Sequence, residues 1–243
     1  MKLSEVKTDG HLKILLFGPA GSGKTCFAAG LPAPMLYLDF DNKVDSAALY
    51  YRSDAARLDQ IDVRQLAPTL SENPVVELLR IVNEELIPQQ KAGIMKYKTL
   101  VLDSLTVFSA ATLKYIVDTN PGIKRPVSKQ GQQPTPSDYG ILKREFSRLI
   151  PGLISLPMNV IMLGHVSTER DDITGEIIRG TMLDGSFGKE LPVYFKEVWV
   201  TKVDEKGQHW AQTKSNGQYA CRSQIPGLPN PIKLEYKELE KFL

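Results

Sequence analysis

The stretch Ile14–Leu31, ILLFGPAGSGKTCFAAGL, constrains this chain more than any other. An apolar run leads into a glycine-rich turn, and a helix-forming segment follows. Gly18, Gly23, Lys24 and Thr25 match the spacing G-x-x-x-x-G-K-[ST], in the strand–turn–helix context the pattern requires. Glycines let backbone N–H groups turn inward around phosphate oxygens, and the start of a helix adds partial positive charge. The residues Gly18, Pro19, Ala20, Gly21, Ser22, Gly23, Lys24, Thr25 and Cys26 therefore read as a cradle for a nucleoside triphosphate. Lys24 is placed to reach the β- and γ-phosphates, and the Thr25 hydroxyl to ligate Mg²⁺. ATP and Mg²⁺ are the expected cofactors.

The rest of the chain suits one α/β domain over residues 1–243. Continuous apolar runs at Leu12–Phe17, Pro34–Phe40, Tyr97–Ser104 and Met158–Val166 read as parallel strands buried on both faces. Helical patterns alternate with them at Thr25–Ala29, Pro74–Leu86, Leu105–Val117 and Asp138–Leu156. From Glu197 the texture changes. Alternating segments separated by Glu205-Lys206-Gly207 and Ser215-Asn216-Gly217 predict an antiparallel edge hairpin over 197–222. The tail LEYKELEKFL reads as a short closing helix. Two distant cysteines and three scattered histidines make no zinc signature. No run approaches a membrane span, so no membrane partner is expected, and a cytoplasmic location is. A net charge of +2 does not by itself imply nucleic acid, so any basic surface must be local.

Three further strand ends carry chemistry. The apolar strand in TLVLDS ends in Asp103, the expected Mg²⁺ carboxylate; as an alternative, Asp103 caps the helix that follows. LYLDFDN places Asp41, with Asp39 behind it, at the tip of what reads as the strand beside the P-loop strand. There it can orient and deprotonate an attacking water, or belong to a solvated turn. VIMLGHV sets His165 where it can sense the γ-phosphate or serve only structure.

This order of elements, with GPAGSGKT, LYLDFDN, TLVLDSLT, GSFGKELPVYFKEVWVTK and QYACRSQIPGLP, resembles the RecA-type recombinase ATPase core. It is most similar to compact phage nucleotide-binding proteins associated with single-strand annealing, from about Leu12 to Pro231. On this resemblance the N-terminal polymerisation region of full-length recombinases is not expected, and Asp41 stands where they usually carry Glu. A shorter side chain there predicts slower hydrolysis or a bridging water. The resemblance implies a RecA-like P-loop ATPase, phage-encoded, acting on single-stranded DNA as a homo-oligomeric ring or filament, alongside a single-strand-binding protein.

In such a core DNA meets two loops. Residues 119–137 carry Lys124, Arg125 and Lys129 with no acid among Pro, Gly, Gln and Ser until Ser137, which predicts a mobile basic loop or a plain linker. The second loop, 166–190, is net acidic, so phosphate contact would run through Arg170, Arg179 and Lys189, and its glycines suit a conformational change. Lys189, Lys196 and Arg222 are possible fingers across a subunit interface, or simply surface residues. Two alternatives to a DNA-stimulated ATPase stand beside it: an ATP-gated DNA-binding module with vestigial hydrolysis, and a nucleotide kinase-like phosphotransferase.

Overall fold

The computed structural model describes residue 2 and residues 10–68, 74–120, 122–129, 131–170 and 177–243. In chain order, β1 (Lys13–Phe17), α1 (Lys24–Ala29), β2 (Met35–Asp39), α2 (Asp45–Tyr50), α3 (Ala55–Leu58) and β3 (Ile61–Gln65) come first. Then come α4 (Pro74–Arg80), a π-helical turn (Ile81–Leu86) and α5 (Ile87–Ala92), one long helical stretch rather than the single segment ending at Leu86. Pro88, near the start of α5, has no N–H to continue an α-helical ladder, and the wide turn precedes it.

Next are β4 (Thr99–Asp103), α6 (Leu105–Thr119), the two-residue strands β5 (Val127–Ser128) and β6 (Gly131–Gln132), α7 (Pro136–Ile154) and β7 (Asn159–Gly164). The chain closes with β8 (Val166–Arg170), β9 (Ile177–Thr181), α8 (Phe187–Glu190), β10 (Glu197–Val203), β11 (His209–Gln212), β12 (Ile232–Lys233) and α9 (Tyr236–Glu240).

The main sheet runs β12-β11-β10-β1-β7-β4-β2-β3. The six strands from β10 to β3 are parallel, and β11 and β12 add antiparallel to the β10 edge. Alternation along β1 shows why the sheet is covered on both sides. Leu15 and Phe17 pack in one core with Leu78, Phe108 and Phe146, while Ile14 and Leu16 pack in a second core with Phe27 and Trp199. A doubly wound α/β sheet with a C-terminal antiparallel hairpin is what the sequence led one to expect.

Three expectations need correction. β2 is not beside β1, because β7 and β4 lie between them. The second predicted turn, around Asn216-Gly217, does not lead into a third hairpin strand: Arg222 bridges back to Val198 of β10, and the outer strand is β12. Within 166–190, β8 pairs antiparallel with β9, and a short helix, α8, follows. Gly175 lies outside the described residues. β3 escaped the sequence reading because IDVRQ is polar at every second position and half exposed, as an edge strand can be.

Candidate active site

Parallel strands put their C-terminal ends on one edge of the sheet, where α/β proteins carry their sites. Here that edge gathers the ends of β1, β7, β4 and β2. The P-loop leaves β1 at Gly18, and its shape has a steric cause. A Cβ on Gly18 would lie 2.0 Å from Thr201 Oγ1 of β10, so only glycine lets the loop pass. Gly23, with φ of 87°, turns the chain into α1 in a conformation other residues rarely adopt. The Ser22 hydroxyl donates to Pro19 O (2.7 Å) and meets Thr201 Oγ1 at 2.5 Å, bracing the loop against β10.

Lys24 is buried, and its Nζ donates to Gly18 O (3.0 Å) and Pro19 O (2.8 Å). Burial pulls its pKa down, against the opposing pull of Asp103 and Asp41. Thr25 Oγ1 donates to Asp103 Oδ2 (2.7 Å), which also accepts from the Tyr37 hydroxyl (2.6 Å). Burial raises the Asp103 carboxyl above its ordinary range, and the Tyr37 phenol is raised well above its own, so Tyr37 stays a donor. Thr25 and Asp103 fit Mg²⁺: a hydroxyl and one carboxylate are hard oxygen donors, and phosphate and water oxygens ordinarily supply the rest of its shell. Bound there, the ion would neutralise charge on the phosphates. The residue that caps α6 is Ser104, whose hydroxyl accepts from Val107 N, which leaves Asp103 to the cleft.

Asp41 reaches the same cleft although β2 is distant from β1. It accepts from the Ser104 hydroxyl (2.8 Å) and from Lys43 Nζ (3.4 Å), and His165 Nε2 lies 3.6 Å away. Burial pushes its carboxyl up, but the bonds from His165, Ser104 and Lys43 outweigh burial and bring it to about 2. A carboxylate held so low is a poor proton acceptor near neutral pH. A carboxylate so held suits accepting a hydrogen bond from a water better than taking its proton. Asp39 is fully buried and accepts from the backbone N–H groups of Asp41, Lys43 and Val44, so it shapes the turn that presents Asp41.

His165 N donates to Thr106 Oγ1 (3.0 Å), whose hydroxyl donates to Met182 O (2.9 Å), while Met182 N donates to His165 O (2.8 Å). The histidine is thus tied to the base of the β8–β9 hairpin. Together Lys24, Thr25, Asp41, Asp103 and His165 line a cleft of about 390 Å³. Four other liners, Lys43, Asp45, Ser46 and His209, carry no signal in the sequence. The KT of the motif has a spacing rule, but a histidine arriving from residue 209 has none.

The expected DNA-contacting residues separate. Arg125 is not a loop cation. Its guanidinium pairs with Asp138 at 2.6 and 3.0 Å and donates to Asn120 O (2.6 Å), with both side chains of the pair fully buried. Lys124 and Lys129 are exposed. Arg179 stands 5.5 Å over the Tyr219 ring and donates to Gln218 Oε1 (2.6 Å). The side chain of Arg170 lies outside the described residues. Arg222 donates to the carbonyls of Pro192, Val193 and Phe195, which occupies it in holding that turn rather than freeing it as a finger.

The model of the AAA domain family matches residues 11–223, a span that contains the P-loop, Asp103 and the strands that carry them. The chain belongs to the AAA domain family. A comparison with curated protein sequences finds no match. Membership implies nucleotide binding and, in general, nucleoside triphosphate hydrolysis. Such domains typically bind ATP with Mg²⁺, which agrees with the oxygen donors of Thr25 and Asp103. Among the described residues no helix is long and apolar enough to cross a membrane.

Proposed function

We propose that the protein is a RecA-like ATPase of the phage single-strand-annealing type, which binds single-stranded DNA and works as a homo-oligomer. A single-strand-binding protein is the expected companion on the DNA. The observation that carries this reading is the convergence of Lys24, Asp103, Asp41 and His165 on one cleft, with His165 tied to a hairpin outside it. Lys24 binds phosphate by exchanging the two loop carbonyls for phosphate oxygens. Asp41 holds the attacking water, and Ser104 holds Asp41. A γ-phosphate within reach of His165 alters the strain on the Thr106–Met182 tie, and the hairpin moves with it. Lys124, Lys129 and Arg179 supply cations for a phosphate backbone.

The test is phosphate release with and without single-stranded DNA. Strong stimulation is expected. Hydrolysis that DNA leaves unchanged would remove DNA from the reading and leave an NTPase of another purpose. Transfer of phosphate to a nucleoside acceptor would replace it with a phosphotransferase.

A further inference from the structure

A second cavity, of about 520 Å³, opens beside the phosphate cleft and shares Gly23, Cys26 and His209 with it. It follows the side of α1 on which Gly23, Cys26, Phe27 and Gly30 recur at helical spacing. A triphosphate seated on the P-loop therefore has a lined passage for the rest of the molecule, over Cys26 and past the His209 ring.

Rings surround this second space. Tyr50 and Tyr51 stand at its α2 side, 4.9 Å apart and edge-on, and Tyr236 and His209 come from α9 and β11. Tyr51 is committed to the wall. Its hydroxyl donates to Cys26 O (3.2 Å), a Cβ on Gly30 would fall 2.4 Å from that hydroxyl, and Arg57 lies 5.4 Å over its ring. Tyr50 is not so committed; it is 61% exposed.

Four of the charged groups at the rim are already engaged. Asp54 caps α3 and pairs with Arg57 at 3.5 Å, Arg57 donates to Ala29 O and Leu31 O, and Glu235 pairs with Lys233 at 2.7 Å. The Gln208 amide and the Lys237 ammonium sit on exposed side chains that rotate, and an amide presents oxygen or nitrogen equally well. Among the described residues of this wall the buried ones are Phe27, Gly30 and Leu234, so no buried polar side chain fixes a donor–acceptor pattern against a base edge. Strong rejection of a wrong base needs buried polar groups that the wrong base would leave unpaired. Stacking tolerates every base, since each has a π-face.

We propose that this cavity holds the nucleoside of the bound triphosphate by stacking, chiefly on Tyr50 and His209, and that purine and pyrimidine triphosphates are accepted with little discrimination. The proposal rests on the reading of the P-loop as a phosphate cradle, and the test separates the two. Binding of ATP, GTP, CTP and inorganic tripolyphosphate, each with Mg²⁺, is measured by calorimetry on the full chain, Tyr50→Ala and His209→Ala. The three nucleotides should agree within about tenfold, and all should bind more tightly than tripolyphosphate. Tyr50→Ala should weaken each nucleotide about fivefold or more, the scale of a lost stacking face, and leave tripolyphosphate unchanged. A hundredfold preference for one base would overturn the claimed tolerance. Nucleotide affinities untouched by both substitutions would overturn the cavity's role. His209 stands against Gly23, so a parallel fall in tripolyphosphate binding for His209→Ala would overturn its stacking role and make it a brace for the loop. If the parent binds no tripolyphosphate and no nucleotide, the phosphate cradle itself falls, and the proposal with it.

Discussion

The cleft over the P-loop and the segment 119–137 hold similar kinds of side chain and use them in opposite ways. In the cleft, Lys24 is held by two carbonyls of its own loop, and Asp41 and Asp103 line open volume. In the segment, Arg125 closes on Asp138 in a two-pronged pair, and both side chains are withdrawn from solvent. A cation resting on exchangeable carbonyls is available to a ligand. A planar guanidinium locked on a carboxylate is not, because releasing it would leave a buried charge alone. Charge counted along a sequence is therefore not charge on offer.

The largest effect expected from this contrast is at Lys24. Lys24→Ala should weaken ATP about a hundredfold or more, the scale of losing charge-assisted bonds to phosphate, with thermal stability nearly unchanged. ATP affinity equal to the parent's by calorimetry would end the P-loop assignment. Next comes Asp41→Asn, which should lower turnover about 10²-fold by misplacing the water, while ATP affinity stays within a few-fold. The parent's pH profile sharpens the point. A carboxylate with its pKa at about 2 is ionised throughout the working range, so kcat should show no acid limb from Asp41 above pH of about 3. A limb near pH 6 that vanishes in Asp41→Asn would restore the proton-accepting role.

The other side of the contrast predicts a stability effect. Arg125→Ala should lower Tm by several degrees and leave ATP binding alone. The Arg125 bond holds Asp138 down from the ordinary 3.8 to about 2. A depressed carboxylate stabilises the fold fully above its ordinary pKa and loses that contribution as pH falls. The Tm gap between parent and variant should therefore be constant above pH of about 4 and shrink towards pH 2. A gap that stays flat across that window would place the stabilisation elsewhere. The smallest effect concerns Lys124 and Lys129. Neutralising both should reduce the slope of log affinity for single-stranded DNA against log salt by about 1.4, since each strand contact contributes about 0.7. Parallel slopes would make the segment a structural clasp without a DNA role.

The same contrast explains what could be read from the chain alone. The P-loop was legible because its function dictates residue types at fixed local spacing, and the four central strands because burial on both faces leaves continuous apolar runs. Asp103 was legible for its place at a strand end. Arg125 was misread because its partner, Asp138, lies just beyond the segment, in the first turn of α7, where it also closes the cap on Thr135. Thr201 and His209 were invisible as loop neighbours, because the contacts that matter span more than 170 residues and obey no spacing rule. The distance of β2 from β1 is likewise a matter of strand order, which short-range pattern does not encode.

The brace between Ser22 and Thr201 has a consequence for the timing of synthesis. The loop emerges early from the ribosome, yet both strands flanking β1 and the hydroxyl that steadies Ser22 are encoded at residue 159 and beyond. Contacts this remote in sequence form late in folding. A nascent chain released before about residue 201 would display the whole nucleotide motif with nothing to hold it in shape. Competence to take a nucleotide is thus deferred until translation has passed β10, and a truncated product would be inert despite carrying every motif residue.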